Sequence, residues 1–194
     1  MKYSKHALSI LIAAQLSWMG GCGGTTTGNG LVEIRVSPFD ELTLFDRLIP
    51  SAYAQVTQVT FCFKRVRFKL SNTGTADPAN DEDNVDFEIG EVTLSPGGTS
   101  LGNLTVPAGT YQRIEFDLED ECGTGASARV ANSRSGSPFT TDSRATIRFE
   151  GTFVVDNGSE RLNLGVQAII NALDGVTAGG SILRDTLESV SGSL

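Results

Sequence analysis

The first side chains that could do chemistry are carboxylates in an acidic segment. They recur at short intervals at Asp77, Asp81, Glu82, Asp83 and Asp86. Calcium accepts six to eight oxygen ligands in loose geometry, so Asp81, Asp83 and Asp86 are candidate calcium ligands. The spacing is not that of an EF-hand, because no glycine stands at the sixth place. The preferred interpretation is a solvated acidic loop between strands.

A second acidic group, Glu119, Asp120 and Glu121, stands at the end of a predicted strand. Two carboxylates held about 5–10 Å apart can hydrolyse a glycosidic bond. Consecutive strand residues point to opposite faces, so we expect Glu119 and Asp120 to diverge. Surface charge is the preferred interpretation, and we predict no catalytic residues and no enzyme.

One basic cluster interrupts this acidic chain, at Lys64, Arg65, Arg67 and Lys69. Such a cluster can meet lipid phosphates or another anionic partner. The alternative, which we prefer, is cross-strand pairing with the acidic strand 113–121 and protection of a sheet edge.

The amino terminus has the order of a secretory signal. Lys2 and Lys5 precede a mostly apolar run from 7 to 18, and small residues follow it. The run is shorter than the roughly 20 apolar residues that a transmembrane helix needs. We therefore predict a signal peptide over residues 1–21, cleaved before Cys22.

The segment Met19-Gly20-Gly21-Cys22 resembles the lipobox of bacterial lipoproteins, with Met19 where leucine is usual. The resemblance implies a diacylglycerol on the Cys22 thiol, together with a fatty acid on the new amino terminus. More than one acyl chain is needed for stable anchoring. Gly23, in place of aspartate, implies the outer membrane. The implied partners are the membrane, through the anchor, and an envelope protein or glycan.

Removing the signal changes the composition of the chain. Cleavage removes 21 of the 194 residues and leaves 173, enough for one domain. The only histidine, His6, is lost, so neither a Ser-His-Asp nor a Cys-His catalytic arrangement can form. Of 15 Lys and Arg, the loss of Lys2 and Lys5 leaves 13 against 23 Asp and Glu, a net charge of −10. Nucleic acid is therefore excluded as a partner.

Two cysteines remain besides Cys22. An exported chain meets an oxidising compartment, so we predict a Cys62–Cys122 disulfide, the one pairing possible if Cys22 carries lipid. Residues 22–30 are rich in glycine and threonine and predict a flexible tether. The remaining residues, 31–194, are predicted to form one domain.

The dominant pattern in that domain is alternation with a period of two, typical of strands with one buried face. It is clearest over 32–36, 113–119 and 146–150. The phase slips within 59–70, near Gly90 and near Gly151, which predicts β-bulges or short turns. About seven to nine such strands predict an all-β, antiparallel β-sandwich, immunoglobulin-like or transthyretin-like.

Other signals concern turns and helices. Asn157-Gly158 predicts that 152–156 and 160–166 pair as a hairpin. Further turns are predicted at 95–98 and 107–109. Apolar residues spaced at helical intervals predict two short helices, over 39–49 and, after Ser181 as cap, over 182–190.

The segment 106–120 resembles a motif of bacterial envelope lipoproteins, a β-sandwich family of unknown function with a PAGxYxxI step into a strand. The matching residues are Pro107, Ala108, Gly109, Tyr111 and Ile114. The resemblance implies a fold and an envelope location, and it carries over no catalytic residues. We expect a lipid-anchored, non-enzymatic binding or structural module. The alternatives are a calcium-dependent adhesion or sugar-binding domain and, less favoured, a carboxylate-based envelope glycan hydrolase.

Overall fold

The computed structural model describes residues 28–39, 56–70, 84–85, 87, 89–133 and 135–194. Eleven strands and two helices lie within these ranges. The strands are β1 (Asn29–Val36), β2 (Val56–Leu70), β3 (Asn84–Val85), β4 (Gly90–Leu94), β5 (Thr99–Pro107), β6 (Gly109–Leu118), β7 (Ala128–Asn132), β8 (Phe139–Thr141), β9 (Ala145–Val155), β10 (Ser159–Leu164) and β11 (Ser191–Ser193). The helices are α1 (Gln167–Asp174) and α2 (Ser181–Ser189).

The strands form two sheets. The smaller has the order β10-β1-β5, and the larger runs β11-β9-β6-β2-β7-β8, with β3 and β4 on the opposite edge of β2. This confirms the predicted all-β sandwich, with more strands than expected. Most pairs are antiparallel, but β1 with β10 and β9 with β11 are parallel. The finer immunoglobulin-like or transthyretin-like assignment stays a prediction.

One hydrophobic core joins the two sheets and both helices. Ile34 of the small sheet, Phe116 of the large sheet and Leu173 of α1 belong to it and are fully buried. Phe116 meets Phe63 and Phe149 edge to face, with ring centroids 5.3 and 5.7 Å apart, an arrangement that aromatic rings favour. The alternate residues of the same strands face outward, and their polar character determines the chemistry of the outer surface.

All three predicted turns carry the chain from one sheet to the other. The turn at 95–98 links β4 to β5, the turn at 107–109 links β5 to β6, and the turn at 156–158 links β9 to β10. Because these crossings recur, strands adjacent in sequence are stacked across the core. This is the connectivity of a sandwich rather than of a hairpin meander.

The hairpin predicted between 152–156 and 160–166 is therefore wrong. The turn forms as expected, with the Gly158 amide donating to Asp156 Oδ1 at 2.7 Å. However, β9 pairs with β6 and β11, whereas β10 pairs with β1 in the other sheet. Leu162 and Leu164 thus enter the core from the small sheet. The turn residues determined the reversal of the chain, and packing determined the strand's partner.

The phase slips coincide with irregular strand pairing, as predicted. The register of β2 against β6 shifts between Phe63 and Arg65. Gly90 begins β4 with a φ of 83°, and Gly151 lies in a bulge of β9 with a φ of 145°. Both values fall in the left-handed region that glycine adopts without strain. The bulges bring each half of the long strands into phase with the core.

The predicted carboxyl-terminal helix is confirmed as α2, although its cap is not. The residue before the helix is Gly180, with a φ of 62°, and no side chain caps the first turn. Ser181 is instead the first helical residue. The helix α1 was not predicted; its buried residues Ile169 and Ile170 follow directly after a strand. All but the first residue of the predicted helix 39–49 lies outside the described residues.

The predicted disulfide is present. Cys62 in β2 is bonded to Cys122 in the loop after β6, across a sequence separation of 60 residues. The tether, predicted to extend through residue 30, ends earlier: β1 begins at Asn29, and the carbonyl of Gly28 accepts a bond from the Ala108 amide at 2.8 Å. Residues 28–30 are therefore part of the domain.

Tyr111 of the PAGxYxxI segment holds the 107–109 turn. Its hydroxyl donates to the carbonyl oxygen of Pro107 at 2.7 Å, and its side chain is buried against Phe68. We predict that Tyr111→Phe lowers the free energy of unfolding by about 1 kcal/mol, the usual net value of one hydrogen bond. Chemical denaturation of both proteins measures this. An unchanged or higher stability would show that the bond does not hold the turn.

Candidate functional site

The candidate site lies on the outer face of the three central strands β2, β6 and β9. Arg67, Glu115 and Arg148 are direct partners across these strands and form one row. The residues between them along each strand face the core, so this row faces outward. The next row toward the 107–109 turn contains Lys69, Arg113 and Glu150.

Glu115 is the centre of this surface and contacts three arginines. Its Oε2 lies 3.1 Å from Arg67 Nη2, and its Oε1 lies 3.0 Å from Arg113 Nε and 3.7 Å from Arg148 Nε. Although it is on the outer face, the Glu115 side chain is only 8% exposed. A buried carboxylate needs paired charges to offset its lost hydration, and three guanidinium groups provide them here.

Further bonds connect this centre to its neighbours. Arg67 Nη2 donates to Asp117 Oδ1 at 2.6 Å, and the Thr146 hydroxyl donates to the same oxygen at 3.0 Å. Arg148 Nη1 donates to the backbone carbonyl of Glu188, near the end of α2, at 3.0 Å. A cation at a helix carboxyl terminus is electrostatically favourable. The charged surface is thereby joined to three strands and a helix.

A groove of about 400 Å³ opens over these two rows. It is lined by the cationic side chains of Arg67, Lys69, Arg113 and Arg148, the carboxylates of Glu115, Glu150 and Glu188, and Thr146, Ser189 and Ser191. Four cations and three carboxylates leave one net positive charge in a chain whose net charge is −8. We call this surface the Glu115 groove.

Two features of the Glu115 groove are electrostatically costly. Burial, the largest cause, and the nearby Arg67 and Arg113 lower the pKa of Lys69, while Glu115 and Asp117 act against this shift. In addition, the Nε atoms of Arg67 and Arg113 are buried and have no hydrogen-bond partner in the described part of the chain. Arg113 Nε lies close to Glu115 but lacks the alignment of a hydrogen bond.

The basic cluster predicted at 64–69 does pair across the strands. Arg67 bonds the acidic strand as described above, and Lys64 Nζ lies 2.5 Å from Glu121 Oε2. This bond holds the pKa of Glu121 below its usual range. Protection of a sheet edge is wrong, because β2 is paired along both of its edges and lies inside the large sheet.

The other predicted site residues are not brought into the Glu115 groove. Glu119 follows the end of β6 and pairs with Arg144 at 3.5 Å, and Asp120 is exposed. The candidate calcium ligands Asp81, Asp83 and Asp86 lie outside the described residues, as do Asp77 and Glu82. Within the described ranges, no group of three or more His, Cys, Asp or Glu side chains could hold a metal ion.

The Glu115 groove is built largely from residues that alternation alone marks as a solvated face. Arg113, Glu115 and Arg148 were seen only as polar positions between core residues. The available signal was that Arg113 and Glu115 on one strand have the same charge order as Arg148 and Glu150 on another.

Comparison with known proteins finds no matching family model, no matching curated protein and no matching solved structure. Among the described residues there is also no helix with the length and apolarity to cross a bilayer. The functional argument therefore depends on the sequence of the chain and on the geometry of its own side chains.

Proposed function

We propose that this chain is a lipid-anchored β-sandwich of the cell envelope that acts as a non-enzymatic binding module, with the Glu115 groove as its binding surface. The observation that supports binding is the groove itself, an open cavity of about 400 Å³ whose charged side chains are held in register by three strands. Side chains positioned by sheet strands and by mutual ion pairs are preorganised, which lowers the entropic cost of binding.

The path of the chain supports anchoring at one end of the sandwich. Gly28, which follows the proposed lipid-bearing Cys22 and its tether, contacts the turn at Ala108, and Leu31 donates to Gly158 in the neighbouring turn. At about 3.3 Å per residue, Arg113 lies about 13 Å along β6 from Gly109 at that end. The Glu115 groove is thus on the side of the domain, within a short distance of the proposed membrane surface.

The anchor is tested by Cys22→Ala in the native host. We predict that wild-type protein sediments with membranes and enters the detergent phase, whereas the variant remains unprocessed or is mislocalised and incorporates no radiolabelled palmitate. Thr26→Ala, a change within the tether, is the matched control and should behave as wild type. Palmitate incorporation by Cys22→Ala equal to that of wild type would contradict the anchor.

A further inference from the structure

The rows of the Glu115 groove contain an unfavourable pair of like charges. Lys69 of β2 and Arg113 of β6 are direct cross-strand partners, so their side chains project from the same face. Like charges directly opposite each other destabilise a sheet. The adjacent row adds Arg67 and Arg148, while the central Glu115 supplies one carboxylate to three of the four cations. An anion between Lys69 and Arg113 would relieve this repulsion.

The donors of the groove suit an oxygen-rich anion. Guanidinium groups present planar forks of N–H donors that match phosphate and carboxylate oxygens. Arg67 Nε is a buried donor with no hydrogen-bond partner within the described ranges, and the Arg113 side chain is 38% exposed, so a ligand can reach it. The hydroxyls of Ser189 and Ser191 line the groove beside these donors.

We propose that the Glu115 groove binds a phosphate-type oxyanion between Lys69 and Arg113. This deepens the proposed function by naming its ligand class, and it rests on the groove being the binding surface. Glu115 acts as a positioning residue that holds Arg67, Arg113 and Arg148. The net single positive charge of the groove suits a phosphodiester or a phosphate monoester, carried either by a lipid headgroup or by a soluble phosphorylated compound.

The test uses the full mature protein, purified from membranes in non-ionic detergent. Its melting temperature is measured with inorganic phosphate and with sodium chloride at equal ionic strength. Ligand binding to the folded state raises this temperature, so we expect phosphate to raise it by several degrees above chloride. Lys69→Gln and Arg113→Gln should each weaken phosphate binding at least tenfold. Arg129→Gln, on the exposed face of β7, should not.

Three controls make the outcome decisive. Circular dichroism confirms that each variant is folded, and Arg113→Lys, which keeps the charge, should retain part of the binding. An equal phosphate effect in wild type, Lys69→Gln and Arg113→Gln would overturn the site, because phosphate also stabilises proteins by exclusion from their surfaces. No effect in wild type would overturn it too. Neither result would alter lipidation at Cys22, so the anchor is tested separately.

The source of the phosphate group is identified by two soluble probes. Calorimetry compares glycerol 3-phosphate with a short-chain phosphatidylglycerol below its micellar concentration, and short-chain phosphatidylcholine is the control for the acyl chains. Tighter binding of phosphatidylglycerol supports the site and assigns it to lipid headgroups, whereas tighter binding of glycerol 3-phosphate supports it and assigns a soluble ligand. Heats for both probes that are unchanged by Arg113→Gln would overturn the proposal.

Discussion

Glu115→Gln is expected to lower the free energy of unfolding by about 2–3 kcal/mol. The substitution keeps the size of the side chain but removes the carboxylate shared by Arg67, Arg113 and Arg148. Removing one partner of a buried ion pair costs about 3–5 kcal/mol, and the partial exposure of Arg113 and Arg148 reduces that figure here. For a domain of this size, the melting temperature should fall by about 5–10 °C.

The matched control is Glu33→Gln, which removes an exposed carboxylate. Glu33 Oε2 pairs with Arg161 Nε at 2.9 Å, and their side chains are 32% and 59% exposed. Exposed pairs are worth about 0–1 kcal/mol, so this variant should remain close to wild type. If the two variants lost the same stability, Glu115 would not be the centre of a buried network. Inorganic phosphate should also recover more stability in Glu115→Gln than in wild type, because it supplies the missing negative charge.

Loss of the Cys62–Cys122 disulfide should have the largest effect on stability. The bond closes a loop with a sequence separation of 60 residues. Constraining a loop of this length in the unfolded chain is worth about 4 kcal/mol in the entropy model, and removal of native disulfides typically costs about 2–5 kcal/mol. We therefore expect Cys62→Ala/Cys122→Ala to lose about 2–4 kcal/mol in urea denaturation.

A reductant provides the control for this double variant. Reduced wild type should denature like Cys62→Ala/Cys122→Ala, and the reductant should leave the double variant unchanged. A loss below about 1 kcal/mol in both cases would show that the bond does not constrain the unfolded chain in the manner assumed.

Local patterns were sufficient for the strands and their irregularities. Alternation identified β2, β6 and β9, because each has one face in the core, and the phase slips placed the irregularities near Gly90 and Gly151. Which strands pair was a different matter. The alternation of Leu162 and Leu164 shows that one face of β10 is buried, but it does not show whether β9 or β1 lies beside it.

The candidate site was harder to predict because its burial arises from tertiary contacts. Glu115 alternates with core residues and so reads as a solvated position, yet Arg67 from β2 and Arg148 from β9 enclose it. Cross-strand pairing of the basic cluster could be predicted from charge alone. The like-charged pair of Lys69 and Arg113 could not, because it depends on the register of β2 against β6.

Mass spectrometry of the protein isolated from its native envelope tests the central claim most directly. Trypsin should release the amino-terminal peptide Cys22–Arg35 from the mature chain. Lipid anchoring predicts that this peptide begins at Cys22 and carries the added mass of a diacylglyceryl group and a fatty acyl chain. A peptide with an unmodified Cys22 thiol, or a mature chain that begins at another residue, would contradict the account.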